Sequence, residues 1–547
     1  MTSPLPRLSS RLGGAVLLGL LTVPALAADW AQWGGGTHRN MASSETHLPE
    51  RFDPGKRTRE KLGVDVKSTK NVAWVARIGS ENYSAPTIAG GQVFIGTNDE
   101  TLEDPRYEVT EGGVLMCFDE HSGELDWKLV VPKIEIDRAK VSEDFDAMNL
   151  GICSTVTVDR GRAYLVTNRC EVLCLDVRGL DNGNQGPFLD EAKFSVGQDD
   201  PAVELRPTDA DILWRFDMVR DLPVFPHDAT NCSVLIHGDV VYVCTGNGVY
   251  DGKVVLPTAA SLIALHRDTG EFLARDDGKI SAAVFHGQWA SPTLLKVGNE
   301  EEIVFGAGDG FCYGFRPLKE LKPGQTLEQL WKFDANPKGY RERGGKVIDY
   351  WALVRGGAKD LFANGELISP SEIIGSPVVD GELVYVTIGQ DPLHGRGKGA
   401  VSCIRPRREA DGKSTVETVW VYEGIGRTLS TPSVRDGLVY VAEHAGKVHC
   451  LDAQTGRVQW VYDTKDEVWS STFVADNKVY LGTRRGLTVL AAGRELKHLA
   501  DMRLGSPVWS VPTAANGTLY VASQKHLWAI RDEGEMPPLL TKMNPAK

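Results

Sequence analysis

Long charged blocks are missing from this 547-residue sequence. Its net charge is −13 and it has no Lys/Arg-rich run. Nucleic-acid binding needs a basic footprint on the phosphates, so that class is disfavoured. Beyond residue 27 no stretch is apolar enough to span a bilayer, so no transmembrane segment is expected in the mature protein. The first 27 residues contain no Arg-Arg pair, and no Cys stands near their end, which argues against twin-arginine export and lipid attachment there. No two cysteines are adjacent, no C-x-x-C-H haem attachment sequence occurs, and no loop follows the EF-hand pattern.

What is present begins with a leader. Arg7 and Arg11 precede an apolar stretch from Gly13 to Leu26, and Ala25-Leu26-Ala27 is a small-x-small cleavage site. Residues 1–27 therefore read as a secretory signal, with a mature start at Ala28 and a periplasmic or secreted product. The competing reading is a membrane anchor, but the stretch is shorter than the ~20 residues that a span needs.

The chain also carries a repeat. Ser430, Ser470 and Ser510 are spaced evenly, as are Tyr440, Tyr480 and Tyr520. The clearest copy, residues 430–464, runs STPSVRDGLVYVAEHAGKVHCLDAQTGRVQWVYDT. A repeat of about forty residues with four strands is the signature of a propeller blade. Tracing it along the chain predicts an all-β fold, a single eight-bladed β-propeller of four-stranded antiparallel blades. Seven blades is the alternative if the copy from Ser470 is irregular. The last copy, from Ser510, lacks a fourth strand. An orphan strand over residues 71–78 supplies it and closes the ring, which removes free sheet edges. The resulting division is 1–27 signal peptide, 28–69 lead-in, 70–535 propeller and 536–547 tail.

Nine cysteines in an exported chain invite a disulfide reading. However, Cys117, Cys174, Cys403 and Cys450 share one third-strand slot, which Ala264 and Ala529 fill in other copies. That is a small buried slot. One disulfide among Cys153, Cys170, Cys232, Cys244 and Cys312 is left open. In the D-x-x-T-G-x-x-x-W segment, Asp452, Thr455 and Gly456 predict a turn. Trp460, with Trp127, Trp331 and Trp420 in comparable positions, is expected to pack over the neighbouring blade, the other reading being a quinone stacker.

The long loops sort by end. In a meander, the approach to the first strand and the second-to-third turn share one end. The insertions at 97–112, 132–151, 219–230, 246–260, 279–289, 336–374 and 389–399 all fall there, while 178–209 belongs to the opposite end. Long loops on a rigid scaffold are where binding concentrates. Tyr83, Trp289, Trp469 and Trp509 precede first strands on that end. They should gather round the channel mouth, either to stack a planar ligand or to plug the channel. Asn231, His286, Gln288 and His394 are the polar candidates beside them. Asp228 and Asp391 are candidates for a base. His227, His286 and His394 could converge from three blades. Oxygen-rich loops could hold Ca²⁺, but no contiguous metal motif is present.

The S-x-P…VYV…G-x-V-x-C-L-D-A-x-T-G-x-x-x-W unit resembles the pyrroloquinoline-quinone-type (PQQ-like) propeller repeat, over nearly all of the predicted mature chain. The segments DWAQWGGGTHRN, HGQWASP and GQDPLHG resemble an exported bacterial subgroup of unassigned function. The resemblance implies the fold far more than a function, because this propeller hosts dehydrogenases, an outer-membrane assembly factor and proteins of unknown role. The quinoprotein alcohol dehydrogenases of the family use an adjacent Cys-Cys pair and a Ca²⁺ held by Glu and Asn, and no stretch here matches either. The leading expectation is an exported binding or scaffold module that takes a small ligand, glycan or protein on its insertion-rich face. The alternative is a PQQ-dependent oxidoreductase with Ca²⁺, its quinone stacked between the mouth aromatics. A hydrolase using paired loop carboxylates is a third reading.

Overall fold

The computed structural model describes residues 28–58, 63–135, 144–350, 370–392 and 398–532, together with positions 1, 141, 352, 362–363 and 366–367. The proposed leader and tail lie outside the described residues, except Met1. Eight blades of four antiparallel strands form the propeller, and blade three carries a fifth, two-residue strand, Gln325–Thr326, paired in parallel at its outer edge. The innermost strands, blade one to blade eight, are Thr87–Ala89, Thr157–Asp159, Leu235–His237, Thr293–Val297, Val378–Asp380, Ser433–Arg435, Thr472–Ala475 and Thr513–Ala515. The orphan strand Val72–Arg77 pairs antiparallel with His526–Ile530 and completes blade eight. The copy from Ser470 is a regular four-stranded sheet, Thr472–Ala475 through His498–Arg503, which decides for eight blades over seven. No helix among the described residues is long and apolar enough to cross a membrane.

The small slot of the third strand has a packing cause. Cys450 sits in register between Tyr440 on the second strand and Trp460 on the fourth. The two rings meet over it with centroids 5.9 Å apart. The same arrangement recurs at Cys403 between Tyr385 and Trp420, at Cys174 between Tyr164 and Trp214, and at Ala529 between Tyr520 and Trp74. A side chain larger than Cys there would force the rings apart, and close-packed interiors do not yield readily. All nine cysteines are free and buried.

The turn motif then locks blade to blade. Asp452 accepts from Thr455 N at 3.1 Å and Thr455 Oγ1 at 2.9 Å, and Gly456 follows with φ +69°. Trp420 of blade five lies against that glycine and donates its indole N–H to Ala453 O at 2.9 Å. Trp74, Trp127, Trp214 and Trp460 likewise donate to Glu120 O, Val177 O, Arg267 O and Gly493 O of the next blade. Trp331 shares a buried cluster with Val384, Val386 and Ile404 of blade five, but its hydrogen bond is not an inter-blade one. Its indole N–H goes to Glu302 of its own blade, and its ring lies over its own Gly314.

The 178–209 insertion departs from its expected place. It leaves blade two at the short-turn end, then runs along the blade's outer edge to the other end. There Phe194 lies under the Arg169 guanidinium at 4.3 Å, and Gln198 N donates to Glu135.

The lead-in is the element that sequence reading left without a role. It circles the axis at the short-turn end and touches every blade. Asp29 accepts from Gly90 N and Asn516 Nδ2, Ala31 O from Val158 N, and Thr37 O from Leu294 N. His38 O accepts from Val379 N, Asn40 pairs with Val434, Met41 O accepts from Val474 N, and Glu45 accepts from Gly517 N. Arg39 reaches blade three. Its side chain is fully buried and donates to Val234 O and Pro292 O at 2.8 Å, and to Gln32 Oε1 and Trp33 O. Burial pushes its pKa down to about 10. The channel is thus closed on this end by main chain, whose polar groups are met by the first strands.

One buried carboxyl gives a pH test of the ring. Asp309, in the second-to-third turn of blade four, accepts from Tyr313 OH at 2.6 Å and Phe311 N at 3.0 Å. Burial raises its pKa to about 6. A carboxyl raised in the folded state stabilises fully below its unfolded pKa, and that contribution is lost as pH rises to the folded pKa. The stability of Asp309→Asn relative to wild type should therefore climb between about pH 4 and about pH 6 and level off above. Paired melting curves across that window check it. A difference that does not vary with pH would contradict the assignment.

Candidate functional site

The end opposite the lead-in holds a cup of about 390 Å³ on the axis. Approach segments bring Tyr83, Trp289, Trp469 and Trp509 to its wall, and Trp33 of the lead-in contributes from the closed end. All five are half-buried. The expected gathering of aromatics at one mouth is therefore seen, but it is the lead-in that stops the channel. Tyr83 and Trp509 each meet Trp469 with ring centroids 6.4 Å apart. Two indole N–H groups are already used, Trp289 on Ala229 O at 2.9 Å and Trp469 on Glu467 Oε1 at 2.7 Å. These bonds fix ring orientation and leave ring surface for a ligand.

Serine and threonine form the deeper wall. Ser291 Oγ accepts from Ser233 N, Ser376 Oγ from Ser291 N, Thr431 Oγ1 from Ser376 N, and Ser471 Oγ from Thr431 N. This chain of hydroxyl-to-backbone bonds ties successive innermost strands together and lines the cup with hydroxyls. It explains why the repeat keeps a hydroxyl residue at that point of blades four to seven.

One flank is ionisable. Asp228 lies at φ +55°, an uncommon conformation for a residue with a side chain. It contacts His286 Nε2 at 3.1 Å and His227 Nε2 at 3.3 Å. His286 Nε2 also stands 3.9 Å from Asp391 Oδ2. The two imidazoles meet edge to face with centroids 4.4 Å apart, and His286 packs on Trp289. Burial and the neighbouring His286 push His227 down to about 4. His286 moves up: its hydrogen bond to Asp228 and the charges of Asp391 and Asp228 outweigh burial. Behind Asp391, Glu372 accepts from Asp391 N at 2.8 Å, and burial raises its carboxyl to about 7. Arg427 donates to Asp391 O at 2.9 Å.

The sequence candidates divide accordingly. Tyr83, Trp289, Trp469, Trp509, Asn231, Asp228 and Asp391 line the cup. His286 stands immediately behind Asp228. Gln288 is spent elsewhere: it is buried and donates to Asn247 O and Ser261 Oγ within blade three. His394 lies outside the described residues. The reading of loops missed Trp33, Glu372, Arg427 and His444, the last packing edge-on against Trp469 at 5.1 Å. His444 sits in the short second-to-third turn of the least decorated copy, so loop length gave no signal.

The fold's best-known cofactor suits this wall poorly. Pyrroloquinoline quinone carries three carboxylates. Among the described residues the cup is lined by Asp228 and Asp391 and by no Lys or Arg, so the ligand would face like charge in a partly desolvated site. No adjacent cysteine pair is present, and Cys153 lines the cup alone.

Residues 397–527 match the family model described as outer membrane protein assembly factor BamB. No curated protein matches the chain at a significant level. Among solved structures, BamB from Moraxella catarrhalis shares 12% identity, with 85% of this chain and 98% of that chain covered and a TM-score of 0.49. A europium-containing methanol dehydrogenase shares 12% over 91% of this chain and 89% of its own, with a TM-score of 0.46. The quinohemoprotein alcohol dehydrogenase from Comamonas testosteroni shares 11% over 95% and 83%, also at 0.46. Likeness at this level carries no argument about activity. Eight closed blades and D-x-x-T-G-x-x-x-W inter-blade locks make the chain an eight-bladed β-propeller, and the last part of its ring, residues 397–527, matches the family model of the outer membrane protein assembly factor BamB.

Proposed function

We propose that the protein is an exported binding protein whose central cup holds a small uncharged ring ligand bearing hydroxyl groups, of the sugar class. One observation carries this reading. The cup combines half-buried aromatic rings with Asp228, Asp391, Asn231 and a wall of hydroxyls, and it has no basic lining among the described residues. Aromatic faces take the C–H face of a ring, while carboxylates, amide and hydroxyls bond its rim. The lead-in closes the far end, so a ligand enters and leaves on the insertion-rich side.

Titration of the purified chain with a panel of neutral mono- and disaccharides, followed by calorimetry, tests it. At least one sugar should bind more tightly than about 10 mM, and Trp469→Ala should weaken that binding at least tenfold, about 1.4 kcal/mol. The opposing arm is pyrroloquinoline quinone with Ca²⁺ and dye-linked alcohol oxidation. Quinone binding with turnover, and no response to any sugar, would overturn the binding reading. It would restore the oxidoreductase alternative, with Asp391 or Asp228 as base.

A further inference from the structure

The cluster on the cup's flank has a geometry that the sugar reading does not require. We propose that His227, Asp228 and His286, with Asp391 beside them, form a binding site for a first-row transition dication of the zinc type. The donor atoms of the first three lie within 4.8 Å of one another. The individual separations are 3.3 Å for His227 Nε2 to Asp228 Oδ1 and 3.1 Å for His286 Nε2 to Asp228 Oδ2. Four-coordinate zinc with bonds of about 2.0–2.1 Å holds its donors about 3.3 Å apart. Each imidazole nitrogen therefore stands about one such edge from a carboxylate oxygen of Asp228, His227 from Oδ1 and His286 from Oδ2. Asp391 Oδ2 stands beside the cluster, 3.9 Å from His286 Nε2.

The donor set selects the metal. Two imidazole nitrogens with carboxylate oxygens suit zinc, cobalt or nickel, whereas Ca²⁺ and Mg²⁺ take oxygen donors. The support is rigid as well. His227 and Asp228 come from the approach to blade three, His286 from the approach to blade four, and Asp391 from the second-to-third turn of blade five. Trp289 packs on His286, and Glu372 holds the Asp391 backbone. Asp228 and Asp391 also line the cup, so one side of the cluster faces the cavity. A metal there would present its remaining coordination position to whatever the cup holds, as open metal sites do.

The experiment uses the untagged full chain, stripped with chelator and dialysed against Zn²⁺, with bound metal read by elemental analysis. About one zinc per chain is expected, and Ca²⁺ in excess should not displace it. Co²⁺ loading should give the strong visible absorption of a tetrahedral site, a readout that needs no substitution. His227→Ala and His286→Ala should each weaken zinc binding at least 100-fold. His498→Ala, in the outermost strand of blade seven and paired with Asp501, should bind as wild type does. Zinc below about one-fifth of an equivalent in the wild-type chain would overturn the proposal. So would undiminished binding in the His227 and His286 variants, or displacement by Ca²⁺. Sugar binding in metal-free protein would leave this result unaffected, so the two readings fail separately.

Discussion

Replacing Arg39 with methionine is expected to destabilise the propeller by about 3–5 kcal/mol, the order expected when several buried acceptors lose their donor at once. Methionine fills much of the same volume, so the effect reports the hydrogen bonds more than a cavity. In the native protein the guanidinium satisfies the carbonyl oxygens of Trp33, Val234 and Pro292 and the amide of Gln32 from one buried position. Without it these acceptors are stranded, at about 1–3 kcal/mol for each that finds no water. Removing a buried cation returns part of that cost, so the sum is not additive. With an unfolding entropy of about 2 cal/mol/K per residue, the melting temperature should fall by about 3–5 °C. Calorimetry measures this. Hydrogen exchange in residues 30–43 should rise at the same time, because Arg39 ties the turn at Gln32 and Trp33 to blades three and four. Lysine at the same position should rescue little, since one ammonium cannot span both blades. An unchanged melting temperature for the methionine variant would mean that the closed end does not depend on Arg39.

Gly456→Ala should cost about 2–4 kcal/mol, well beyond the ~1 kcal/mol usual for placing a side chain at positive φ. Gly437 is the control. Both glycines have φ near +70°, at +69° and +72°. At Gly437 an added Cβ meets nothing within 4 Å, whereas at Gly456 it stands 2.6 Å from the Trp420 ring. The ring must shift, which weakens its bond to Ala453 O and opens the seam between blades five and six. The difference in melting temperature between the two variants isolates that contact. Equal losses would show that backbone conformation alone demands glycine here.

Blades were legible because each repeats a local requirement. Tyr440, Cys450 and Trp460 recur as large, small, large because three adjacent strands bring them into one register. Asp452, Thr455 and Gly456 recur because one turn needs a short acceptor and a positive φ. The mouth aromatics were legible for a related reason: their place just before the innermost strand fixes their distance from the axis. Trp331 packs where its spacing implies, but its hydrogen bond was not legible. Glu302 of the same blade offers a carboxylate where other blades have none. The 178–209 insertion misled because the end from which a loop departs does not fix where it travels.

The chemistry of the cup was legible in residue types, and the meeting of His227 with His286 only as one open possibility among three loop histidines. Asp228, His286 and Asp391 stood out as polar loop residues. That His227 and His286 meet at 4.4 Å, with Glu372 behind Asp391, follows from the loops of three blades folding toward one another. Arg427 and His444 gave no signal, since their blade has only short turns.

The sequence by itself determined the ring: its repeat, its strand order, its closure by an N-terminal strand and the end on which the long loops stand. These follow from contacts within a blade or between neighbouring turns, which a forty-residue period encodes directly. The tertiary structure decided that the channel is a cup, that the lead-in closes it around a buried arginine, and that His227, Asp228 and His286 gather with their donor atoms within 4.8 Å of one another. Those features join residues far apart in the chain, whose meeting depends on the curvature of the closed ring and leaves no period to read.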